Sequence, residues 1–352
     1  MNLDESKKLI DKLENRKRLD SSQWETLFSC WEDESLREYA REKANALRKA
    51  KFGNKIFIRG LVEFSNYCRN DCFYCGIRRS NHNAERFRLD KSDILEACAK
   101  GYDLGFRTFV LQSGEDLYFT DEIMTDIIKG IKGSFPDCAL TLSIGEKTRE
   151  TYEKYKTAGA DRFLLRHETA DKAHYESLHP GELTLENRVK CLETLKALGF
   201  QTGCGIMVGS PFQTVKTLAK DMVFMQDFKP HMVGIGPFIS QHDTPFRDFP
   251  NGSVELTLFI LSLTRLMLPD ANIPATTALG SLDESGREKG ILSGANVVMP
   301  NLSPEYARDK YNLYDNKLRT GAEAGENLRL LSEKLEKIGC EICVDRGDFK
   351  IR

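Results

Sequence analysis

Ile56-Phe57-Ile58-Arg59-Gly60-Leu61-Val62-Glu63-Phe64 runs directly into Ser65-Asn66-Tyr67-Cys68-Arg69-Asn70-Asp71-Cys72-Phe73-Tyr74-Cys75-Gly76. The first run is rich in β-branched and aromatic residues and reads as a strand. The second is polar, carries three cysteines spaced C-x3-C-x2-C, and reads as the loop after that strand. What the chain does next decides the sheet to which the strand belongs.

Downstream, apolar β-rich runs alternate with amphipathic stretches. A helix is expected near 91–104, then a strand at Thr108-Phe109-Val110-Leu111 and a helix near 119–132. Leu140 to Ile144 reads as a third strand with a helix near 147–157, and Arg162 to Leu165 as a fourth with a helix near 184–198. Gly205 to Gly209, Met232 to Gly236, Ile273 to Thr277 and Asn296 to Met299 give strands five to eight, with helices near 214–227, 253–268 and 283–292 between them. Strand–helix units in series demand a parallel sheet. Eight of them close a (β/α)8 TIM barrel of ordinary size, spanning residues 55–315. A doubly wound open sheet is the rival, and the strand count favours the barrel.

Residues 1–54 are charged with helical spacing (Leu9, Leu13, Leu19, Trp24, Leu27, Trp31, Leu36, Ala40, Ala44) and read as an N-terminal helical extension. Residues 316–352, with a helix near 322–337, read as a short C-terminal α/β tail packed on the barrel. With 51 basic against 53 acidic side chains and a net charge of −2, no electrostatic case exists for nucleic acid or an anionic membrane as partner. The polar start, Met1 to Lys7, lacks the apolar core of a signal peptide, so a cytoplasmic location is expected.

Ten cysteines in 352 residues make no disulfide scaffold. Three of them within eight residues are metal ligands by density. The loop follows a strand, and at the C-terminal mouth of a barrel that is where active sites are built. Structural zinc wants four ligands, and an electron-transfer 4Fe–4S cluster takes four cysteines. Three would leave one iron open to a substrate's amino and carboxylate groups. A zinc site completed from a distance is the alternative.

C-x3-C-x2-C with Tyr74 before the last cysteine resembles the radical-SAM superfamily signature. The flanks Ser65 to Asn70 and Cys75 to Asn81, with Leu111 to Asp116 and Leu165 to Ala170, resemble the HydE family of FeFe-hydrogenase maturases. So do Met207-Val208-Gly209, Val233 to Phe238, Asn272 to Ala278 and Asn296 to Asn301. The resemblance covers about residues 55–315. It implies a 4Fe–4S cluster on Cys68, Cys72 and Cys75, S-adenosylmethionine (SAM), and reductive cleavage to a 5′-deoxyadenosyl radical. The implied substrate is a small organometallic iron–cysteine species with CO and cyanide, on the way to the hydrogenase diiron subcluster. Ferredoxin or flavodoxin as reductant, and other hydrogenase maturases as partners, follow from the same resemblance.

By motif, Tyr74, Gly114, Glu115, Ser143, Glu146, Arg166, Glu168 and Arg188 resemble SAM-side residues, with Arg188 on the SAM carboxylate. Met232, Thr276, Thr277, Tyr311 and Tyr314 resemble substrate-pocket residues. Each has a plainer reading. Arg166 and Glu168 could pair with one another from one strand face; Arg188 could be a solvated helix residue; Ser113-Gly114 could be a turn; Thr276 and Thr277 could be strand residues. His167 is expected to pack against the helix layer. The segment after Tyr314 has no cysteine, so a second cluster is not expected, and Cys340 and Cys343 are expected to be inert. Phe212 and the Ser240-Gln241-His242-Asp243 loop depart from the family pattern. Gln112, Leu142 and Gly203 stand where a biotin synthase would need cysteines. Methylornithine synthase, a radical-SAM mutase, is the nearer rival, and a non-catalytic metal carrier is the rival from another class.

Overall fold

The computed structural model describes residues 3–317 and 324–350. Helices α1 (Leu3–Arg16), α2 (Ser21–Ser29) and α3 (Glu34–Phe52) come first and bury Ile10, Leu13, Trp24, Leu27, Phe28 and Leu36. Asp20 and Asp33 open α2 and α3 by accepting backbone N–H groups, the usual remedy for a helix's orphan donors.

The strand expected at 56–64 is two strands, β1 (Lys55–Ile58) and β2 (Gly60–Ser65), because the segment changes partners at Arg59. The chain then runs α4 (Lys91–Asp103), β3 (Thr108–Ser113), α5 (Asp121–Ser134), β4 (Ala139–Ser143), α6 (Arg149–Ala158) and β5 (Arg162–Leu164). It continues through α7 (Lys172–Leu178), α8 (Leu185–Ala197), β6 (Gln201–Val208), α9 (Val215–Phe228), β7 (Met232–Pro237) and α10 (Val254–Met267). Last come α11 (Thr277–Leu282), α12 (Gly286–Leu292), β8 (Val297–Val298), α13 (Glu305–Arg308), α14 (Ala324–Lys337) and β9 (Glu341–Cys343). The sequence reading missed α7, α11 and α13; the helix expected near 283–292 is α12, and the strand expected to end at Thr277 runs into the start of α11.

Strands β2 to β7 form one parallel sheet in sequence order. Parallel bridges Met232↔Asn272, Pro274↔Val297 and Leu61↔Asn301 carry the hydrogen bonding from β7 back to β2. The fold is therefore a (β/α)8 barrel, with its seventh and eighth staves short. Alternation along the first stave sorts its side chains. Ile56, Ile58, Val62 and Phe64 join the apolar layer under the helices, whereas Arg59 and Glu63 are buried outside that layer, in the lumen. Helices α2 and α3 pack on α9 and α10. Almost every residue of α10 is buried, because it lies between the barrel and α3.

The C-terminal segment closes the opposite end. Strand β9 pairs with β1, and residues 345–349 lie across the starts of the staves. Arg162 pairs with Asp348 at 2.7 Å and donates to the Arg346 carbonyl and Thr108 Oγ1. Arg346 pairs with Asp161 and Asp348. Asn272 donates to the Gly347 carbonyl and Gln201 to Asp348. Among the described residues no helix is long and apolar enough to cross a membrane.

Candidate active site at the barrel mouth

The cysteine loop leaves β2 at Ser65 and is tied to three neighbouring segments. Arg69 N–H donates to the Glu115 carbonyl at 3.0 Å, Phe73 N–H to the Leu178 carbonyl at 3.0 Å, and Gly76 N–H to the Leu313 carbonyl at 2.8 Å. The Arg86 guanidinium gathers the carbonyls of Asn66, Ile77, Arg78 and Asn81. Asp71 pairs with Arg78 at 2.7 Å, and that arginine holds its carboxyl well below the usual range. A loop without regular structure is thus fixed by polar ties, as a site on a barrel rim must be.

Cys68 Sγ accepts the backbone N–H groups of Asn70 and Glu115, both at 3.4 Å. Such donors favour the thiolate. Burial opposes them, raising the Cys68 and Cys72 thiols and pushing Cys75 up to about 12. Mutual repulsion of the three sulfurs adds to this for Cys72. Bound iron would reverse the balance, since a coordinated thiol is deprotonated outright. Among the described residues no three His, Cys, Asp or Glu side chains converge as around a single ion. A cluster places each thiolate on a different iron, so its ligands stand further apart. The donor set therefore fits a cluster: three thiols without disulfide partners, one loop, and N–H groups aimed at sulfur.

Gly114 is where the second βα loop meets this one. A Cβ there would lie 2.3 Å from the Tyr67 carbonyl oxygen and 2.7 Å from Cys68 Cβ, so only glycine permits the approach. The next residue, Glu115, is buried; its carboxylate pairs with Arg69 at 2.9 Å and accepts the Glu146 N–H at 2.7 Å. Gly145, at φ +75°, makes room for that carboxylate. Glu146 is buried, pairs with Arg188 Nε at 2.6 Å and accepts from Asn187 at 2.6 Å. Arg188 also donates to the Arg166 carbonyl. It lies inside α8 and is buried, so the solvated-face reading of it is wrong. Ser143 ends β4 beside Gln112 of β3.

Arg166 and Glu168 do pair, at 2.7 Å. They do so from just beyond β5, which ends at Leu164: the segment stays bonded to β6, with His167 N–H on the Gly205 carbonyl and Glu168 bridged to Ile206, and Glu168 adopts φ +64°. Arg166 Nε is buried without a partner, as is Thr276 Oγ1. Thr276 and Thr277 are not strand residues: Thr276 is the N-cap of α11 and Thr277 its first residue. Tyr311 is buried, with its hydroxyl 3.4 Å from Gln112 Nε2. Burial also raises the hydroxyl of Tyr314, pushing it up to about 12. Met232 stands apart. It starts β7, low in the lumen, where its sulfur lies 3.1 Å from Arg59 Nη1.

Tyr74 packs on His179, its hydroxyl 3.2 Å from Nε2. The Tyr175 carbonyl, 2.9 Å from Nδ1, must receive a proton, so Nε2 accepts from the tyrosine. Burial keeps His179 neutral, lowering it to about 3. His167 packs on Phe224 of α9, in the helix layer as expected. Phe212 is exposed at φ +65° and touches Phe246 and Phe249. Asp243 Oδ1 accepts from Asn83, whereas His242 reaches Asp315. Four residues near the site were missed: Arg69, Asn187, Glu63 and Lys317. Lys317 and Glu63 form a buried pair at 2.6 Å. A signal for Glu63 existed, since it and Arg59 interrupt an apolar strand on one face.

Comparison with known proteins agrees with this geometry. Residues 62–225 match the model of the radical SAM superfamily. Over 312 residues the chain is 45% identical to the [FeFe] hydrogenase maturase subunit HydE of Thermotoga maritima, covering 89% of this chain and 88% of that one. It is 29% identical to the 3-methylornithine synthase of Methanosarcina barkeri over 341 residues, 96% of this chain and 95% of the other. The crystal structure of methylornithine synthase (PylB) superposes with a TM-score of 0.82 at 27% identity, over 95% of this chain and 97% of that one. The chain belongs to the radical SAM superfamily and, within it, to the family of HydE hydrogenase maturases.

Proposed function

We propose that Cys68, Cys72 and Cys75 hold a 4Fe–4S cluster with one iron free of protein, and that the mouth binds SAM beside it. Bound there, the cluster supplies one electron to the SAM sulfonium. The methionyl end is a zwitterion and needs groups of both signs. Arg188 offers a planar fork to its carboxylate, and Glu115 and Glu146 offer acceptors to its ammonium. Gly114 lets the cysteine loop close on the Glu115 segment, and Ser143, Arg166, Glu168 and Tyr74 complete the polar wall. Thr276, Thr277, Tyr311 and Tyr314 line the lumen mouth where a substrate would sit; Met232 would mark its floor.

The observation that carries this reading is the Glu115 segment. It donates an N–H to Cys68 Sγ and holds a buried carboxylate beside Arg69 and Glu146. Cluster loop and zwitterion pocket are therefore one unit, which a metal carrier would not need. Following the family, we assign the substrate as an iron–CO–cyanide–cysteine precursor of the hydrogenase diiron subcluster. The protein would act in the cytoplasm with a ferredoxin or flavodoxin and with other hydrogenase maturases. No cysteine stands between Tyr314 and Leu328, so one cluster is expected.

The test is anaerobic reconstitution followed by dithionite and SAM. The expected result is 5′-deoxyadenosine, and recovery of hydrogenase activity when the protein replaces the maturase in an in vitro maturation mixture. Formation of methylornithine instead would replace the HydE reading with the mutase. SAM left intact by protein that holds iron and sulfide would replace both with a carrier.

A further inference from the structure

The proposed chemistry consumes one electron per SAM, and the structure suggests where it enters. Of the seven large apolar side chains exposed among the described residues, three stand together beside the cysteine loop: Tyr67, Leu117 and Tyr118, at 36, 70 and 56% exposure. The Arg88 guanidinium lies between the two rings, 3.8 Å from the Tyr67 centroid and 4.8 Å from that of Tyr118. Asp116 grips Arg88 with two hydrogen bonds, at 2.7 and 2.9 Å. Aromatic rings braced by an arginine form a preorganised surface, of the composition that dominates binding energy in interfaces.

Charge on this platform is one-sided. In the pair Arg69–Glu115 the arginine is 49% exposed and the glutamate 4%. In Arg88–Asp116 the values are 34% and 3%. Both pairs turn guanidinium outward and keep carboxylate inside, and Asp121 and Glu150, which border Leu117, are offset by Lys154 and Arg149, so at the rings a partner meets guanidinium. Arg79 and Glu182 nearby are both exposed and offset each other. The platform is also joined to Cys68 along two short routes. Tyr67 is bonded to Cys68, and Glu115, whose N–H reaches Cys68 Sγ, leads through Asp116 to Leu117 and Tyr118.

We propose that Tyr67, Leu117 and Tyr118, rimmed by Arg69 and Arg88, are the docking platform for the protein that delivers this electron: a small, acidic-surfaced carrier of one low-potential electron. The carrier is oxidised by one electron and the cluster reduced by one; SAM then takes that electron as its C5′–S bond breaks to methionine and the 5′-deoxyadenosyl radical. This rests on the radical SAM reading above.

The experiment compares two reductants on the Leu117→Asp/Tyr118→Asp variant and the wild type. With flavodoxin hydroquinone, the growth of the reduced-cluster EPR signal should be at least ten-fold slower in the variant. With dithionite, a small ion that needs no platform, the two should match. Binding of flavodoxin to cluster-free protein, followed by flavin fluorescence, should weaken in the variant and with added salt in the wild type. Equal rates and equal binding with flavodoxin would overturn the platform, more so if Phe212→Asp slowed it instead. Loss with both reductants would overturn it too, by showing that the patch supports the cysteine loop. Wild type that dithionite cannot reduce would defeat the cluster reading itself, which is a separate failure.

Discussion

The barrel has two charged ends, and they are built differently. At the closed end all three guanidinium nitrogens of Arg162 find acceptors: Gln201, Thr108, the Arg346 carbonyl and Asp348 take its N–H groups. Two of these partners, Arg346 and Asp348, arrive on the C-terminal tail, and they serve to seal. At the mouth the charges pair as densely, Arg69 with Glu115, Arg188 with Glu146 and Arg166 with Glu168, yet Arg166 Nε and Thr276 Oγ1 are left buried and unpaired. Protein alone does not complete that end. Arg59, in the lumen between the two ends, likewise keeps Nε and Nη2 buried and unpartnered, so the open groups run from the mouth down the lumen, while the Arg162 network at the closed end is paired.

The largest effect should fall on the sealed end. Arg162→Met removes one member of a buried network and should cost about 3 kcal/mol of stability, read as a lower urea midpoint, with SAM affinity per folded molecule unchanged. If SAM affinity fell as well, the two ends would not be separable. Arg188→Met makes the converse cut. A charge-assisted hydrogen bond is worth roughly 2 kcal/mol, so SAM binding should weaken about thirty-fold in calorimetric titration. Unchanged affinity would return Arg188 to a structural role.

Gly114→Ala sharpens the contrast within the mouth. Its Cβ would enter the space of Tyr67 and Cys68, and overpacking of this kind costs about 1–3 kcal/mol. Iron content after reconstitution should drop while circular dichroism stays native.

The smallest effect concerns His242, held by Asp315 at 2.7 Å and near Asp243 at 3.2 Å. Its hydrogen bond to Asp315 raises its pKa. The clasp is therefore fully present below the ordinary histidine pKa and is lost as pH rises through the raised one. The hydrogen-exchange protection factors of residues 311–315, taken relative to the intrinsic rate at each pH, should fall from pH 6 to pH 8, and His242→Gln should abolish that fall. The imidazole is largely exposed, so the change should be slight.

The barrel was legible because a parallel sheet needs apolar staves, and eight runs with helical spacing between them are visible. The cysteine loop was legible because its chemistry is local. What escaped the sequence depends on distance along the chain. The closed end is made by residues 345–349 against staves from 75 to 238 residues away, and no short-range pattern encodes that. Thr276 and Thr277 were misplaced because β-branched residues suit strands in isolation, while here Thr276 caps a helix. The Arg166–Glu168 spacing pointed to their pairing, but not to the positive φ that Glu168 adopts where it is still bridged to Ile206 at the end of the stave. Arg59 and Glu63 were in plain view in the first stave, where two charges at even spacing in an apolar strand indicate a lumen.

The central claim is that the three mouth cysteines hold an open-coordinated cluster. Iron, sulfide and EPR of the reduced protein, recorded with and without SAM, test it most directly against Cys72→Ala. The account predicts four irons and four sulfides per wild-type chain, a spectrum that changes on adding SAM, and neither cluster nor change in the variant. A cluster retained by Cys72→Ala, or a wild-type spectrum indifferent to SAM, would contradict it.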